Sequence, residues 1–177
     1  AISKEWFGED KSIVPTTFTP SGATDDSLQK VKDKGVFTLG LDDSFPPMGY
    51  TDEKGEIVGF DIDVAKEVAK RLDIKLKLQP INWDINEQEL NTGNVDMLWN
   101  GMTLTDARKA SMLCSDPYMK NRQILVVKKD SGLKTTADLA GKNLALQSGS
   151  SAEEALSKAA DLKDSLKDVV KFEDNFF

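Results

Sequence analysis

The sequence predicts an α/β fold, and three observations carry that prediction. Apolar runs of strand length, residues 36–41 and 74–80, bracket residues 61–72, where Ile62, Ala65, Val68, Ala69 and Leu72 recur at helical spacing on one face. Twice a strand-like run enters a helix through a polar, glycine-bearing turn: residues 95–99 through Asn100 and Gly101, and residues 143–147 through the SGSS at 148–151. Gly and Pro punctuate the chain between these runs. Strands alternating with helices make a sheet with helices packed on it, and ligands of such sheets sit beyond the strand ends.

The elements follow in order. Residues 1–8, AISKEWFG, read as a helix with Ile2, Trp6 and Phe7 on one face and Gly8 as its cap. Residues 11–26 lack periodicity and are rich in Pro, Thr, Ser and Gly, as in a linker. A short helix over 27–34 ends at Gly35. The strand 36–41 leads into the loop DDSFPPMGY, whose Pro46 and Pro47 forbid helix. A turn-bearing segment fills 51–59. After the helix 61–72 and the strand 74–80, Trp83 sits in a loop and residues 86–91 are helical. Beyond the strand 95–99 a helix starts within 103–106 and runs to Met112. Residues 124–128, ILVVK, form another strand, apolar enough to be buried. A second unit then begins: a short helix from Thr136, the strand 143–147, a helix after Ser150 or Ser151 with Glu153 or Glu154 closing a capping box, and a strand over 169–172. The ending at Asn175, Phe176 and Phe177 leaves that last strand without a covering helix, which is unlike a finished domain.

Composition excludes several classes. The chain has 177 residues, and 30 acidic side chains against 23 Lys+Arg give a net charge of −7. That balance argues against a nucleic-acid partner. There is no histidine and a single cysteine, Cys114, so histidine-dependent nucleophilic triads, internal disulfides and cysteine- or histidine-rich metal sites have no residues to be built from. No apolar run approaches the roughly 20 residues of a membrane helix, and no signal peptide is visible. If the protein is exported, this is a mature or recombinant form.

The segment GNVDMLWNGMTLTDAR, residues 93–108, is where the chemistry concentrates. Thr105 or Asp106 can cap the helix that starts there. Gly101 lets the backbone approach a ligand. Arg108 brings a planar, permanently charged fork suited to a carboxylate. Free N–H groups, a helix N-terminus and a guanidinium on one spot describe an anion site. A capped surface helix with a solvated arginine has the same spacing.

Seven segments taken together resemble the extracytoplasmic amino-acid-binding proteins of ABC transporters, family 3 solute-binding proteins of the type II periplasmic-binding fold. They are GLDDSFPPMGY, EIVGFDIDVAKEVAKRL, NVDMLWNGMTLTDAR, CSDPY, QILVVKKDS, DLAGKNLALQSGSSAEEAL and VVKFED, and they fall in the family's order from Val36 onward. The resemblance implies a two-lobe clamshell, lobe one over residues 27–124 and part of lobe two over 125–177. AISKEWFGED, residues 1–10, is similar to the family's last helix, displaced to the front, and PTTFTPSGATDD to a tether. That order implies a circular permutant opened within lobe two, as in an engineered sensor, or a tandem binding-domain protein cut between domains. The rest of lobe two would come from a second chain or a fused segment.

The resemblance also implies a site. Arg108 would clamp the ligand α-carboxylate, helped by Thr103 and Gly101, with Asn100 beside them where the family often has a small residue. Phe45 and Trp83 would stack on the ligand side chain, although either ring could instead be plain core. Asp42 would accept hydrogen bonds from a polar or cationic side-chain end, with Asp43 a solvated neighbour. From lobe two, Ser151 and the turn 148–150 would add contacts to the carboxylate, and the residue binding the ammonium would lie outside this chain. The lobes would hinge near 121–125, close on one free amino acid and present the closed form to a transporter permease, outside the cytoplasm or lipid-anchored at the cell surface. An acid beside two rings favours lysine, arginine or ornithine, with glutamine or cystine also open. No cofactor or metal is implied. The competing readings are an enzyme of this fold, similar to cyclohexadienyl dehydratase, and a receptor input domain.

Overall fold

The computed structural model describes residues 26–174. The expected helix at 1–8, nearly all of the linker, and Asn175 to Phe177 lie outside these residues. Strand β1 (Val36–Leu41) is the axis of the first lobe. It pairs in parallel with β5 (Lys75–Pro80), Val36 opposite Lys75 through Leu41 opposite Pro80, and on its other side with β6 (Met97–Leu98). A central parallel strand is covered on both faces, which is why VFTLGL is an almost unbroken apolar run. Leu39, Leu41, Ile62 and Ala65 are fully buried, with Phe37 beside them. Ile62 and Ala65 come from helix α2 (Phe60–Leu72), whose apolar face lies on the sheet. Helix α1 (Ser27–Lys34) ends at Gly35 as the sequence predicts.

Three expectations change in this lobe. The loop 42–50 and the segment after it form a small antiparallel sheet of β2 (Ser44–Phe45), β3 (Gly49–Thr51) and β4 (Ile57–Val58). Pro46 and Pro47 exclude helix but not a hairpin, whose strands here flank the prolines. Trp83 opens a 3₁₀ turn, Trp83–Ile85, capped by Asn82 and continuous with α3 (Asn86–Asn91). The strand expected over 95–99 shrinks to β6, and the following helix α4 begins only at Asp106 (Asp106–Ser111). Thr105 caps α4, its hydroxyl accepting from the Arg108 N–H.

Past α4 the chain crosses into the second lobe. Here the largest correction falls: residues 124–128 are not a strand and are not buried. Ile124 is 70% exposed and Val126 84%. Their apolar character suits a sheet interior, yet among the described residues no strand pairs with them. The second sheet is β7 (Asn143–Gln147) in parallel with β8 (Asp168–Phe172), joined through α5 (Ser151–Lys158) and α6 (Ala160–Ser165). The sequence reading missed α6, a six-residue helix with no buried side chain and hence no apolar stripe. Ser150 caps α5, accepting from the Ala152 N–H. The expected capping box is displaced by one residue, because Glu153 reaches past the cap to accept from the Gly149 N–H at 2.9 Å. No helix among the described residues is long and apolar enough to cross a membrane.

Candidate functional site

The predicted site residues gather along the seam between the lobes, at the carboxyl ends of β1, β6 and β7. Arg108 is their centre. It lies in the first turn of α4 and is only 7% exposed, which removes the solvated-arginine alternative. One terminal nitrogen donates to the Thr103 carbonyl and the other to the Gly149 carbonyl of the second lobe, each at 3.0 Å. The guanidinium therefore touches both lobes. Among the described residues no carboxylate lies within ion-pair distance of it. Burial pulls its pKa below the usual arginine value, and the fields of Glu87 and Glu154 oppose that pull. A buried cation held only by carbonyl oxygens, with N–H donors to spare, favours an anion that brings its own acceptors.

Thr103 stands beside it. Its hydroxyl oxygen accepts from Asn121 at 2.6 Å and from Ser151 at 3.0 Å, while Ser151 accepts from Gln123 at 2.7 Å. With both lone pairs of Thr103 taken, the capacity left on that oxygen is its own proton. Asn121 and Gln123 come from the crossing between lobes, so this chain of bonds ties the crossing to both halves of the site. An opening of about 380 Å³ adjoins it, lined by Arg108, Thr105, Ser151 and Gly149 and by acids that include Glu87 and Glu154.

Gly101 is placed differently from expectation. Its N–H is not free but donates to a carboxylate oxygen of Asp61, a fully buried acid at the start of α2. Tyr118 donates to the other oxygen at 2.7 Å. Burial raises the Asp61 pKa, an effect these two hydrogen bonds partly offset, and the same burial, with Asp61 beside it, pushes the Tyr118 phenol upward. The Tyr118 ring stacks with Phe60, centroids 6.4 Å apart, and lies tilted against Trp99 at 6.2 Å. Asp61 thus fixes the turn that carries Asn100 and Gly101. Gly101 has φ +59°, and a Cβ there would sit 2.9 Å from the Phe45 ring, so only glycine lets the half-buried Phe45 lie against the turn. Asn100 is buried, and its side-chain oxygen faces Gly49 of the hairpin with no hydrogen-bond partner among the described residues.

Trp83 is 6% exposed and sits at the seam, where its carbonyl accepts from Asn86. Gly149, at φ +67°, meets it from the second lobe: a Cβ on Gly149 would fall 2.8 Å from the Asp84 Cα and 2.9 Å from the Trp83 carbonyl oxygen. Ser148 donates to Asp84 at 2.7 Å. Asp42 is buried and engaged by protein groups, one oxygen by the N–H and hydroxyl of Ser44 at 2.8 and 2.6 Å, the other by the Gln147 amide at 2.6 Å. Asp43 is half-buried rather than solvated and accepts from the Thr51 hydroxyl. The structure therefore brings Arg108, Thr103 and Ser151 together, sets Phe45 against Gly101, and seats Trp83 under Gly149. Asp61, Tyr118, Gln123 and Gln147 were not foreseen. Only the intact acid Asp61 inside an apolar helical face offered a sequence signal.

The model of the bacterial extracellular solute-binding proteins, family 3, matches residues 37–172. The chain belongs to this family. Among curated relatives, the L-cystine-binding protein TcyJ of Escherichia coli K12 is 32% identical over 168 residues, covering 92% of this chain and 63% of the relative. The arginine-binding extracellular protein ArtP of Bacillus subtilis is 33% identical over 81% of this chain and 55% of its own length. The chain thus spans less than two thirds of these relatives. Among solved structures, a substrate-binding protein of an ABC uptake transporter from Streptococcus pneumoniae with bound histidine aligns at a TM-score of 0.81 and 38% identity, over 85% of this chain and 63% of that one. An ancestral amino-acid-binding protein, a precursor of cyclohexadienyl dehydratase, aligns at 0.77 and 35%, over 84% of this chain and 66% of the other. The α/β architecture is that of the type II periplasmic-binding proteins.

Proposed function

We propose that this family member binds one polar or cationic L-amino acid between its lobes and delivers it, outside the cytoplasm, to the permease of an ABC transporter. The observation that carries the reading is Arg108, a buried guanidinium touching both lobes with no carboxylate partner among the described residues. An α-carboxylate arriving there supplies the missing countercharge, takes the spare N–H donors and the Thr103 proton, and favours the closed arrangement by its better affinity for it. Relatives whose names specify cystine, arginine and histidine support the ligand class without choosing within it. Asp42, the reason to favour lysine, arginine or ornithine, is engaged by Ser44 and Gln147, so glutamine and cystine stand level with the cationic ligands. The relatives' greater length supports drawing the rest of lobe two from residues outside this chain.

Binding is favoured over catalysis on this fold. The chain has no histidine to serve as a base beside the guanidinium, and Asp42, the acid expected to read the ligand side chain, is engaged by Ser44 and Gln147. A thermal-shift screen of the twenty amino acids, ornithine and cystine against the protein containing this chain and its lobe-two complement tests the reading. A ligand that binds only the native state raises the melting temperature with its concentration. A shift with one or a few of them is expected; no shift with any returns the enzyme and receptor readings.

A further inference from the structure

Across the seam from Asp42, the last residue of β7 makes a contact that the carboxylate grip does not need. Gln147 is 6% exposed, and its amide nitrogen donates to Asp42 at 2.6 Å and to the Glu173 carbonyl at 2.9 Å. Both of its N–H donors are used. The Ser148 N–H donates to the Phe172 carbonyl at 2.8 Å, which anchors the same strand end to β8. Gln147 thus carries the second lobe to the one acid of the seam expected to read a ligand's side chain.

We infer that Gln147 determines specificity by competing with the ligand side chain for Asp42, which makes the site selective for neutral polar amino acids over cationic ones. The inference rests on the amino-acid-binding reading above. A cationic side chain reaching Asp42 must displace the amide and leave its N–H buried without an acceptor, so part of the ion-pair gain is lost. A neutral side chain leaves the Gln147–Asp42 bond in place, and closure then buries a satisfied pair. Specificity is the difference between these two outcomes, and Gln147 acts as the repulsive element against cations.

The test is calorimetric titration of arginine and glutamine into the protein containing this chain and its lobe-two complement, as wild type, Gln147→Leu and Gln147→Lys. Leucine removes the amide from Asp42, whose Ser44 bonds remain, and should raise the arginine-over-glutamine affinity ratio at least tenfold. Lysine places its own ammonium on Asp42 and should weaken arginine at least tenfold, with glutamine within about threefold of wild type. A purely structural role would weaken both ligands together. Ratios within threefold of wild type in both variants overturn the role of Gln147 and leave amino-acid binding standing. If the wild type binds neither these two nor any other amino acid, the binding reading itself fails and this inference with it. Should the leucine variant not fold, the lysine variant decides.

Discussion

The two lobes differ in how much of each this chain carries: the first is a packed α/β layer, while the second is the part that reaches residue 174, in a chain spanning 63% of the TcyJ relative. In the first, Leu39, Leu41, Ile62 and Ala65 are completely buried and Val95 almost so, around a strand covered on both faces. In the second, among the described residues, Leu139, Leu146 and Leu156 keep 8% exposure each, the sheet has two strands, and the apolar residues 124–127 are exposed. The proposed anion grip lies on the first lobe: Arg108 and Thr103 follow β6, and the turn before them is pinned by Asp61. The second lobe supplies the carbonyl of Gly149, the hydroxyl of Ser151 and the amide of Gln147. On the proposed reading, the first lobe holds the charge and the second completes its surroundings.

The largest way to break this comparison is in the cores. Leu39→Ala should cost about 2–5 kcal/mol in denaturant unfolding, as a buried leucine in a sheet that cannot collapse. Leu146→Ala in this chain, where the leucine keeps 8% exposure, should cost less, below about 2 kcal/mol. Equal losses would show that the lobes are equally packed.

Asp61→Asn sharpens the role of the pinned turn. Replacing an acid that accepts from both Gly101 and Tyr118 leaves one of those donors without an acceptor, a loss of about 1–3 kcal/mol at neutral pH. The sign with pH follows from the raised pKa. Between the ordinary aspartate value of 3.8 and its higher folded value, the native state binds more protons than the unfolded state. Stability from this group is therefore greatest at low pH and falls as pH rises through that interval. Unfolding curves across pH should show that fall in the wild type and not in the asparagine variant.

Gly149→Ala probes the seam with the smallest change. A Cβ at that positive φ, 2.8 Å from the Asp84 backbone, costs about 1 kcal/mol locally. It should also hold the lobes apart, lowering ligand affinity about tenfold in a titration. Unchanged affinity would mean that closure does not bring Gly149 against Trp83.

Much of this was legible in the sequence, for identifiable reasons. The β1 strand, helix α2 and the turn-helix entries at 101–108 and 148–151 announce themselves through periodicity, glycine and caps, which are local signals. Residues 124–128 differ from expectation because apolar composition reports what a segment can bury, and among the described residues no strand pairs with them. Asn100, Gly101 and Asp42 lie near the seam, but their contacts differ from those expected. The hydrogen bonds from Gly101 to Asp61 and from Gln147 to Asp42 span 40 and 105 residues, and no local pattern encodes such pairings. Arg108 was legible as a candidate anion binder from its place in the first turn of a helix; its burial and its distance from every described carboxylate were not.

That isolation is the most direct point of attack. Calorimetric titration of the amino acid giving the largest thermal shift, into wild type and Arg108→Ala protein with a melting curve for each, tests it. Loss of a buried bidentate grip should weaken binding at least about 100-fold, while removal of an uncompensated buried charge leaves the melting temperature within a few degrees. An alanine variant that binds within about threefold of wild type would contradict the account at its centre.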